Sequence, residues 1–185
     1  ECDLTVVELE NYRRDMWFDE TGLPWVLPSP NMPTLDTAIV YPGQCILEGT
    51  NISEARGTTR PFELFGAPWV DAVQLCQRLE SYDLPGCRFR QVSFRPKFQK
   101  HGDSTCAGAQ VHVTDRNRFE SITMTFCILS ELLQQYPEDF RWREEAYEFV
   151  GDKLAIDLLI GDPVLRKGLE DGDHPVELAR IRSSR

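Results

Sequence analysis

The stretch CRFRQVSFRPKF, residues 87–98, sets the expected fold. Apolar and polar side chains alternate along it at a period of two, which is typical of a β-strand with one buried face. Phe89 and Phe94 fall out of register with each other, an irregularity that a β-bulge would explain. The stretch GAQVHVTD, residues 108–115, has the same alternation and predicts a second strand. The sequence therefore predicts a small sheet built on these two segments.

Helical patterns flank the two predicted strands. The first begins at Pro68 and ends at Leu84-Pro85-Gly86, and its apolar face contains Trp69, Ala72, Val73, Cys76 and Leu79. A second helix is predicted from Ser121 to Pro137, followed by one within KLAIDLLIG, residues 153–161, one opened by Asp162-Pro163 and one opened by Asp173 and Pro175. The pattern predicts an α/β (α+β) fold: a single domain with a small, mostly antiparallel mixed sheet and packed helices. Neither a GxGxxG motif nor a P-loop supports a nucleotide-binding parallel sheet.

The first forty-odd residues give weaker signals. LTVVEL, residues 4–9, is β-branched and apolar and predicts a strand. LPWVLPSPNMPTLD, residues 23–36, contains four prolines, which predicts a rigid extended strap with Trp25 and Leu27 docked on a surface. TAIVYPG, residues 37–43, is a short apolar run ended by a turn signal, and a helical turn is expected directly after it, at residues 44–47.

Composition narrows the classes of function. The 30 acidic and 20 basic residues give a net charge of −10, which argues against a nucleic-acid partner because binding to phosphate backbones rests on clustered Lys and Arg. No run reaches the roughly 18–20 apolar residues of a membrane span, so none is predicted.

The cysteines and histidines do not form recognisable ligand motifs. The six cysteines are widely spaced, without a CxxC pair, and are predicted to be small buried hydrophobes. A disulfide stays open as an alternative, with Cys45 and Cys106 as the first pair to test. None of the three histidines lies at metal-ligand spacing, so neither a metal nor another cofactor is predicted.

The polar run LEGTNISEARGTTRPFE, residues 47–63, contains the candidate chemistry. Glu48 and Glu54 offer the paired carboxylates that glycoside hydrolysis needs, and Arg56 lies close enough in sequence to hold one of them. Ordinary loop capping or ion pairing is the alternative for both glutamates. Gly57 and its neighbouring hydroxyls suit close approach of a ligand, whereas a turn whose threonines bond their own backbone would look the same.

His112 and Gln110 share one face of the predicted strand 108–115, with Val111 and Val113 on the other. A lone strand histidine is more often a structural group than a base or a ligand. Both residues are therefore supporting candidates only.

Several motifs resemble one bacterial family. SPNMPTLDTA, YPGQCILEGTNISEARGTTRPFE and QVHVTD are the signatures, within a match of about residues 3–170. In these motifs the chain resembles the C-terminal half of the exo-β-N-acetylmuramidase family, the NamZ or YbbC-like proteins.

The resemblance implies an enzyme of peptidoglycan turnover that acts in the periplasm or after secretion. Its substrate would be a glycan containing N-acetylmuramic acid, released from the non-reducing end. A Rossmann-like N-terminal domain precedes this region in the family, with the active site between the two. Residues 1–185 are thus expected to be the C-terminal domain, and the absent N-terminal domain its partner.

The resemblance also implies which residues face the sugar. Catalytic roles are expected for Glu48 and Glu54, and substrate binding for the remaining candidates: Asn51, Arg56, Thr58, Thr59, Glu63, Gln110 and His112. Arg56 is expected to bind the lactyl carboxylate. Which glutamate is catalytic stays open, as does a retaining, inverting or substrate-assisted mechanism. A non-catalytic carbohydrate-binding or scaffold module, and a structural domain without a ligand, are the alternatives.

Overall fold

The computed structural model describes residues 2–183, which form a mixed α/β fold. The strands are β1 (Leu64–Ala67), β2 (Cys87–Phe94) and β3 (Cys106–Val113). The helices are α1 (Leu35–Gln44), α2 (Ala72–Glu80), α3 (Ser121–Gln135), α4 (Ala155–Ile160), α5 (Pro163–Glu170) and α6 (Pro175–Ser183). Short 3-10 helices occupy Phe18–Thr21 and Cys45–Gly49. Within this described part of the chain, no helix is both long and apolar enough to cross a bilayer.

The sheet is small and antiparallel, as predicted, and its three strands follow the order β1-β3-β2, with β1 a strand that the sequence did not predict. The expected bulge in β2 is wrong, because its eight residues pair one to one with β3 from Cys87 opposite Val113 to Phe94 opposite Cys106. Phe89 and Phe94 are out of register because their side chains lie on opposite faces of the sheet. Phe89 packs against the main core, and Phe94 belongs to a second, smaller apolar cluster.

Two glycines face each other where β1 and β3 pair. Gly66 lies opposite Gly108 in the register. A β-carbon added at Gly108 would fall on the carbonyl oxygen of Phe65, and one added at Gly66 would fall on that of Ala107. The two backbones therefore approach more closely than any side chain would allow, which is a use of glycine that sequence patterns do not reveal.

The helix α2 packs on β2 and β3, and α3 packs against the helices α1, α2, α5 and α6. The helix α3 begins at Ser121 and ends before Pro137, as predicted. The predicted start of α2 at Pro68 is wrong: Asp71 caps the helix by accepting from the backbone N–H groups of Val73 and Gln74, at 2.9 and 3.0 Å. Val73 is exposed rather than on the buried face, which Leu75, Cys76 and Leu79 form.

The segment 37–43 lies inside α1 and does not end in a turn. Pro42 removes one helical hydrogen bond, but Gly43 compensates by packing against α3, where its N–H donates to Ser121 Oγ at 2.8 Å. The helical turn expected next is present as the 3-10 helix Cys45–Gly49.

The N-terminal segment only partly follows the predictions. Residues 4–9 form no strand, and Leu4, Val6, Val7 and Leu9 are exposed. Residues 23–34 of the proline-rich strap contain neither helix nor strand, as predicted, whereas Leu35 and Asp36 already belong to α1. Trp25 is docked, with its ring edge-on to Phe18 at 5.1 Å, whereas Leu27 points into solvent.

All six cysteines are free thiols, so Cys45 and Cys106 are not joined. Cys76, Cys87, Cys106 and Cys127 are buried, as expected for small hydrophobes, while Cys45 is half-buried and Cys2 is exposed. The fold therefore relies on packing rather than on covalent cross-links.

The buried thiols predict a loss of stability at alkaline pH. Burial raises the pKa of Cys127 from 9.0 to about 12 and that of Cys87 to about 11. The folded state therefore keeps protons that the unfolded chain releases, so this stability is complete below pH 9 and is lost as the pH rises through 12. Urea unfolding across this range, under reducing conditions, is expected to show a steady fall in unfolding free energy.

The variant Cys127→Ala is the matched comparison for this titration. It keeps a small apolar side chain but removes the most strongly shifted thiol, so its stability is expected to fall less steeply with pH. A wild-type profile that is flat to pH 12 would contradict the prediction.

Candidate functional site

The structure brings together three of the residues that the sequence singled out. Glu48 lies in the 3-10 helix Cys45–Gly49 and Glu54 follows it, with the Arg56 guanidinium between their carboxylates. Arg56 Nη2 donates to Glu48 Oε1, and Arg56 Nε lies 3.3 Å from Glu54 Oε1. We call Glu48, Glu54 and Arg56 the glutamate–arginine cluster.

The backbone around the cluster is fixed to the sheet. Ser53 and Gly66 of β1 exchange both backbone hydrogen bonds, at 2.9 and 3.0 Å. Ala55 then adopts a left-handed conformation, with φ of 57°, and the N–H of Phe62 donates to the carbonyl of Glu54 at 2.7 Å. The side chains at 54 and 56 are therefore carried by an ordered loop anchored on β1.

Lys100 also contacts the glutamate–arginine cluster, although no sequence pattern indicated it. Its Nζ donates to Glu54 Oε2 at 3.0 Å and to the carbonyl oxygens of Leu47 and Ile52 at 2.8 and 3.0 Å. Burial lowers the pKa of this ammonium, against the opposing effect of the Glu54 carboxylate. Lys100 thus holds both the Glu54 side chain and the loop that carries it.

Tyr147 is the second residue that the sequence did not indicate. Its hydroxyl donates to Glu48 Oε2 at 3.1 Å. Burial, reinforced by the Glu48 carboxylate, raises the pKa of Tyr147 to about 12, so the phenol remains a donor at neutral pH. Each oxygen of Glu48 therefore has a donor, one on Arg56 and one on Tyr147.

The two carboxylates of the cluster differ in access. The Glu48 side chain is 13% exposed, whereas that of Glu54 is 3% exposed. Two glutamates face two cations, Arg56 and Lys100, so the formal charges of the group cancel. Glu48 is therefore the carboxylate of the pair that a ligand reaches more easily.

Asn51 occupies a structural position beside the cluster. Its Nδ2 donates to the carbonyl of Asp139 at 2.8 Å, and its Oδ1 accepts from the N–H of Arg141 at 3.0 Å. Its backbone carbonyl contacts His101 Nε2 at 2.8 Å. Asn51 therefore connects the loop of the cluster to residues 139–141, and both polar ends of its side chain are engaged.

Thr58 forms the self-bonded turn that was the alternative for the threonines after Arg56. Thr58 Oγ1 donates to the carbonyl of Ala55 at 2.7 Å and accepts from the N–H of Arg60 at 3.2 Å. Thr59 is exposed. The glycine between Arg56 and Thr58 packs against the backbone at 97–98, where a β-carbon would be too close.

The remaining candidate residues lie away from the cluster, around a cavity of about 220 Å³. Glu63, Gln110 and His112 line it, together with Arg60 and Asp36. Glu63 is buried and accepts from Thr37 Oγ1 at 2.8 Å and from Arg60 Nη1 at 3.2 Å. Gln110 accepts from the Arg90 guanidinium across the sheet. The site residues predicted from the sequence therefore lie in two separate places, one at the glutamate–arginine cluster and one around this cavity.

A cavity of about 160 Å³ opens beside Arg56. The proline-rich strap forms one side of it through Ser29, Asn31 and Met32, and the other lining residues are Tyr41, Arg56 and Phe62. The Arg56 guanidinium lies over the Phe62 ring at 5.2 Å from its centre. The cluster thus borders a small concave surface made by two separate parts of the chain.

The described residues contain no candidate group of metal ligands. In residues 2–183, three His, Cys, Asp or Glu side chains nowhere come together as a metal ion would require. The chemistry that the cluster offers is that of two carboxylates with their positioning cations.

Paired carboxylates beside a polar concavity are typical of proteins that act on glycans. The chain belongs to the exo-β-N-acetylmuramidase NamZ family, since residues 39–184 match the family described as "Exo-beta-N-acetylmuramidase NamZ, C-terminal". Residues 1–36 match "Exo-beta-N-acetylmuramidase NamZ, N-terminal". The strap side of the Arg56 cavity thus falls in one matched region and Arg56 itself in the other.

Similar proteins support the assignment to this family. The chain is 45% identical over 172 residues to the peptidoglycan β-N-acetylmuramidase NamZ of Bacillus subtilis, a match that covers 93% of this chain and 40% of that protein. A solved DUF1343 family protein from Bacteroides fragilis is 29% identical, with a TM-score of 0.76 over 91% of this chain and 43% of its own. A second B. fragilis DUF1343 structure, 21% identical with a TM-score of 0.53 over 83% of this chain and 38% of its own, shares the fold.

Proposed function

We propose that this chain is the C-terminal part of a β-N-acetylmuramidase that hydrolyses peptidoglycan fragments outside the cytoplasm. The observation that carries the proposal is the 45% identity to the B. subtilis peptidoglycan β-N-acetylmuramidase over 93% of the chain. The chain spans about two-fifths of that relative's length, and the remaining wall of the active site is proposed to come from the part of such an enzyme that this chain does not span.

The glutamate–arginine cluster is the proposed contribution of this chain to the sugar cleft. Glu48 is the carboxylate that reaches the substrate, because its side chain is the more exposed of the two. Donors on Arg56 and Tyr147, one to each of its oxygens, hold it in one orientation. Glu54 and Lys100 hold Arg56 and the loop in place. Carboxylates with positioning cations suit acid–base chemistry at a glycosidic bond.

Arg56 has a different proposed role from the one that the sequence suggested. Its guanidinium already faces two carboxylates, and Lys100 brings the local formal charge only to zero. A lactyl carboxylate arriving there would meet no uncompensated cation. Arg56 is therefore proposed to position Glu48 and Glu54 rather than to bind the lactyl group.

Release of a chromogenic aglycone from a β-N-acetylmuramide tests the proposal. The assay compares this chain, a fusion that places the N-terminal part of the B. subtilis relative before it, and the whole relative as a positive control. We expect the fusion to hydrolyse the substrate and Glu48→Gln to lower kcat by about 10²–10⁴-fold, the usual contribution of a group that transfers a proton.

Glu177→Gln is the matched control, because Glu177 is an exposed glutamate in the first turn of α6, a helix that packs against α3 and α5. It is expected to retain full activity. Hydrolysis that survives Glu48→Gln would remove Glu48 from the mechanism. A folded but inactive fusion beside an active control would refute the hydrolase proposal.

A further inference from the structure

A tight hairpin stands beside the glutamate–arginine cluster. Tyr147 and Val150 pair as an antiparallel bridge and exchange both backbone hydrogen bonds, at 3.0 and 2.9 Å. Glu148 and Phe149 form the turn between them, with φ of 47° and 67°. Left-handed conformations at both central residues are those of a type I′ turn, whose usual residues are Asn and Gly.

The base of this hairpin is attached to the loop of the cluster. Thr50 and Trp142 form a β-bridge, and the N–H of Arg143 donates to the carbonyl of Gly49 at 2.8 Å. The Arg143 guanidinium then lies over the Tyr147 ring, 5.4 Å from its centre. These contacts deliver the Tyr147 hydroxyl to Glu48, so the hairpin has a defined position relative to that carboxylate.

Phe149 at the tip is fully exposed, with a relative accessibility of 103%. Single exposed apolar residues are common and need no explanation. Phe149 differs from such residues in two ways. An ordered turn holds its backbone in a left-handed conformation, which residues with a β-carbon disfavour. It also lies two residues from Tyr147, whose hydroxyl binds Glu48. Consecutive α-carbons are 3.8 Å apart, so Phe149 and Tyr147 have α-carbons within about 7 Å. Strained residues of this kind cluster at ligand-binding sites.

We propose that the hairpin Tyr147–Val150 is a sugar-binding element in which Phe149 packs against the apolar face of a pyranose ring and Tyr147 positions Glu48. This inference rests on the proposed function, because it takes the ligand at Glu48 to be a saccharide. An aromatic ring buries a large apolar area at little cost in conformational freedom, which suits the carbon face of a sugar. A saccharide that reaches Glu48 extends over the hairpin and covers Phe149.

The test is titration of the fusion protein with the disaccharide N-acetylmuramyl-β-1,4-N-acetylglucosamine. To prevent turnover, every protein in the series carries Glu48→Gln. Phe149→Ala is expected to raise Kd about three- to tenfold, the range for loss of one aromatic packing contact. Phe149→Trp is expected to stay within about twofold of the parent because it keeps an aromatic face. Val164→Ala, which truncates an exposed apolar residue on α5, serves as the control.

Two results would overturn the inference. An unchanged Kd in Phe149→Ala, with a lower melting temperature of the fusion, would make Phe149 a contact to the preceding domain instead. Equal weakening by Phe149→Ala and Phe149→Trp would exclude an aromatic contact. In either case, hydrolysis of the chromogenic muramide by the fusion with its native Glu48 would leave the proposed function standing. A fusion that neither binds the disaccharide nor hydrolyses the muramide would refute both proposals.

Discussion

Lys100→Met is expected to lower the free energy of unfolding by about 3 kcal/mol, the lower end of the cost of removing one partner from a buried ion pair, because the Lys100 side chain is 20% exposed. Glu54 would keep its contact with Arg56 but lose the ammonium at 3.0 Å, and the carbonyls of Leu47 and Ile52 would lose a donor. Urea unfolding monitored by circular dichroism measures the loss. Hydrolysis by the fusion protein is expected to fall as well, because the loop that carries Glu54 is no longer held.

Lys97→Met is the matched control, since Lys97 also pairs with an acidic residue, Asp103 at 3.4 Å, but on the exposed surface. Exposed pairs contribute about 0–1 kcal/mol, so this variant is expected to stay near the wild type. The double variant Lys100→Met, Glu54→Gln is expected to recover part of the loss because the charges of Glu48 and Arg56 then balance each other. Equal, small effects of the two lysine substitutions would show that the Lys100 pair is not buried in solution.

Gly108→Ala is expected to cost at least about 3 kcal/mol, at the upper end of the range for inserting a methyl group where no space exists. The new β-carbon would fall on the carbonyl oxygen of Phe65, which is backbone fixed by the pairing of β1 with β3. Neither strand can move aside without breaking the register that carries Glu63 and the loop of the cluster. Thermal unfolding of the variant, beside the wild type, measures the effect.

Gly151→Ala controls for the general effect of replacing glycine. A β-carbon there would meet only the Ala146 side chain at 4.0 Å, an ordinary contact. Its unfolding temperature is expected to be close to that of the wild type. If Gly108→Ala proved equally harmless, the result would contradict the close approach of β1 and β3.

Local signals in the sequence predicted much of the fold. The alternation in 87–94 identified β2, and the apolar spacing from Ser121 identified α3, although residues 123–132 of that helix are buried on every side. Where the predictions failed, a tertiary contact decided the outcome. Pro42 continues α1 because Gly43 is held by Ser121, and the apolar residues 4–9 have no strand to pair with among residues 2–183.

The site residues also fall into those that a local pattern predicts and those that a tertiary contact brings to the site. Glu48, Glu54 and Arg56 lie within nine residues of each other, and their clustering followed from the sequence run and the family motif. Lys100 reaches Glu54 across 46 residues and Tyr147 reaches Glu48 across 99, so no local pattern links them. Glu63, Gln110 and His112 were grouped with the cluster by motif alone, and the sheet places them around a different cavity.

The position of β2 at the edge of the sheet has a consequence for how molecules of this protein meet each other. An edge strand offers unpaired backbone groups on which a neighbouring molecule can add a strand and begin a fibrous aggregate. Exposed Arg88 and Arg90 line β2, so a second copy paired in parallel and in register would bring like guanidinium groups together, and the N–H of Phe89 already donates to Glu80 Oε1 at 2.8 Å. The mutual repulsion of the guanidinium groups, and the cost of stripping water from them, protect the concentrated protein from growth along this strand.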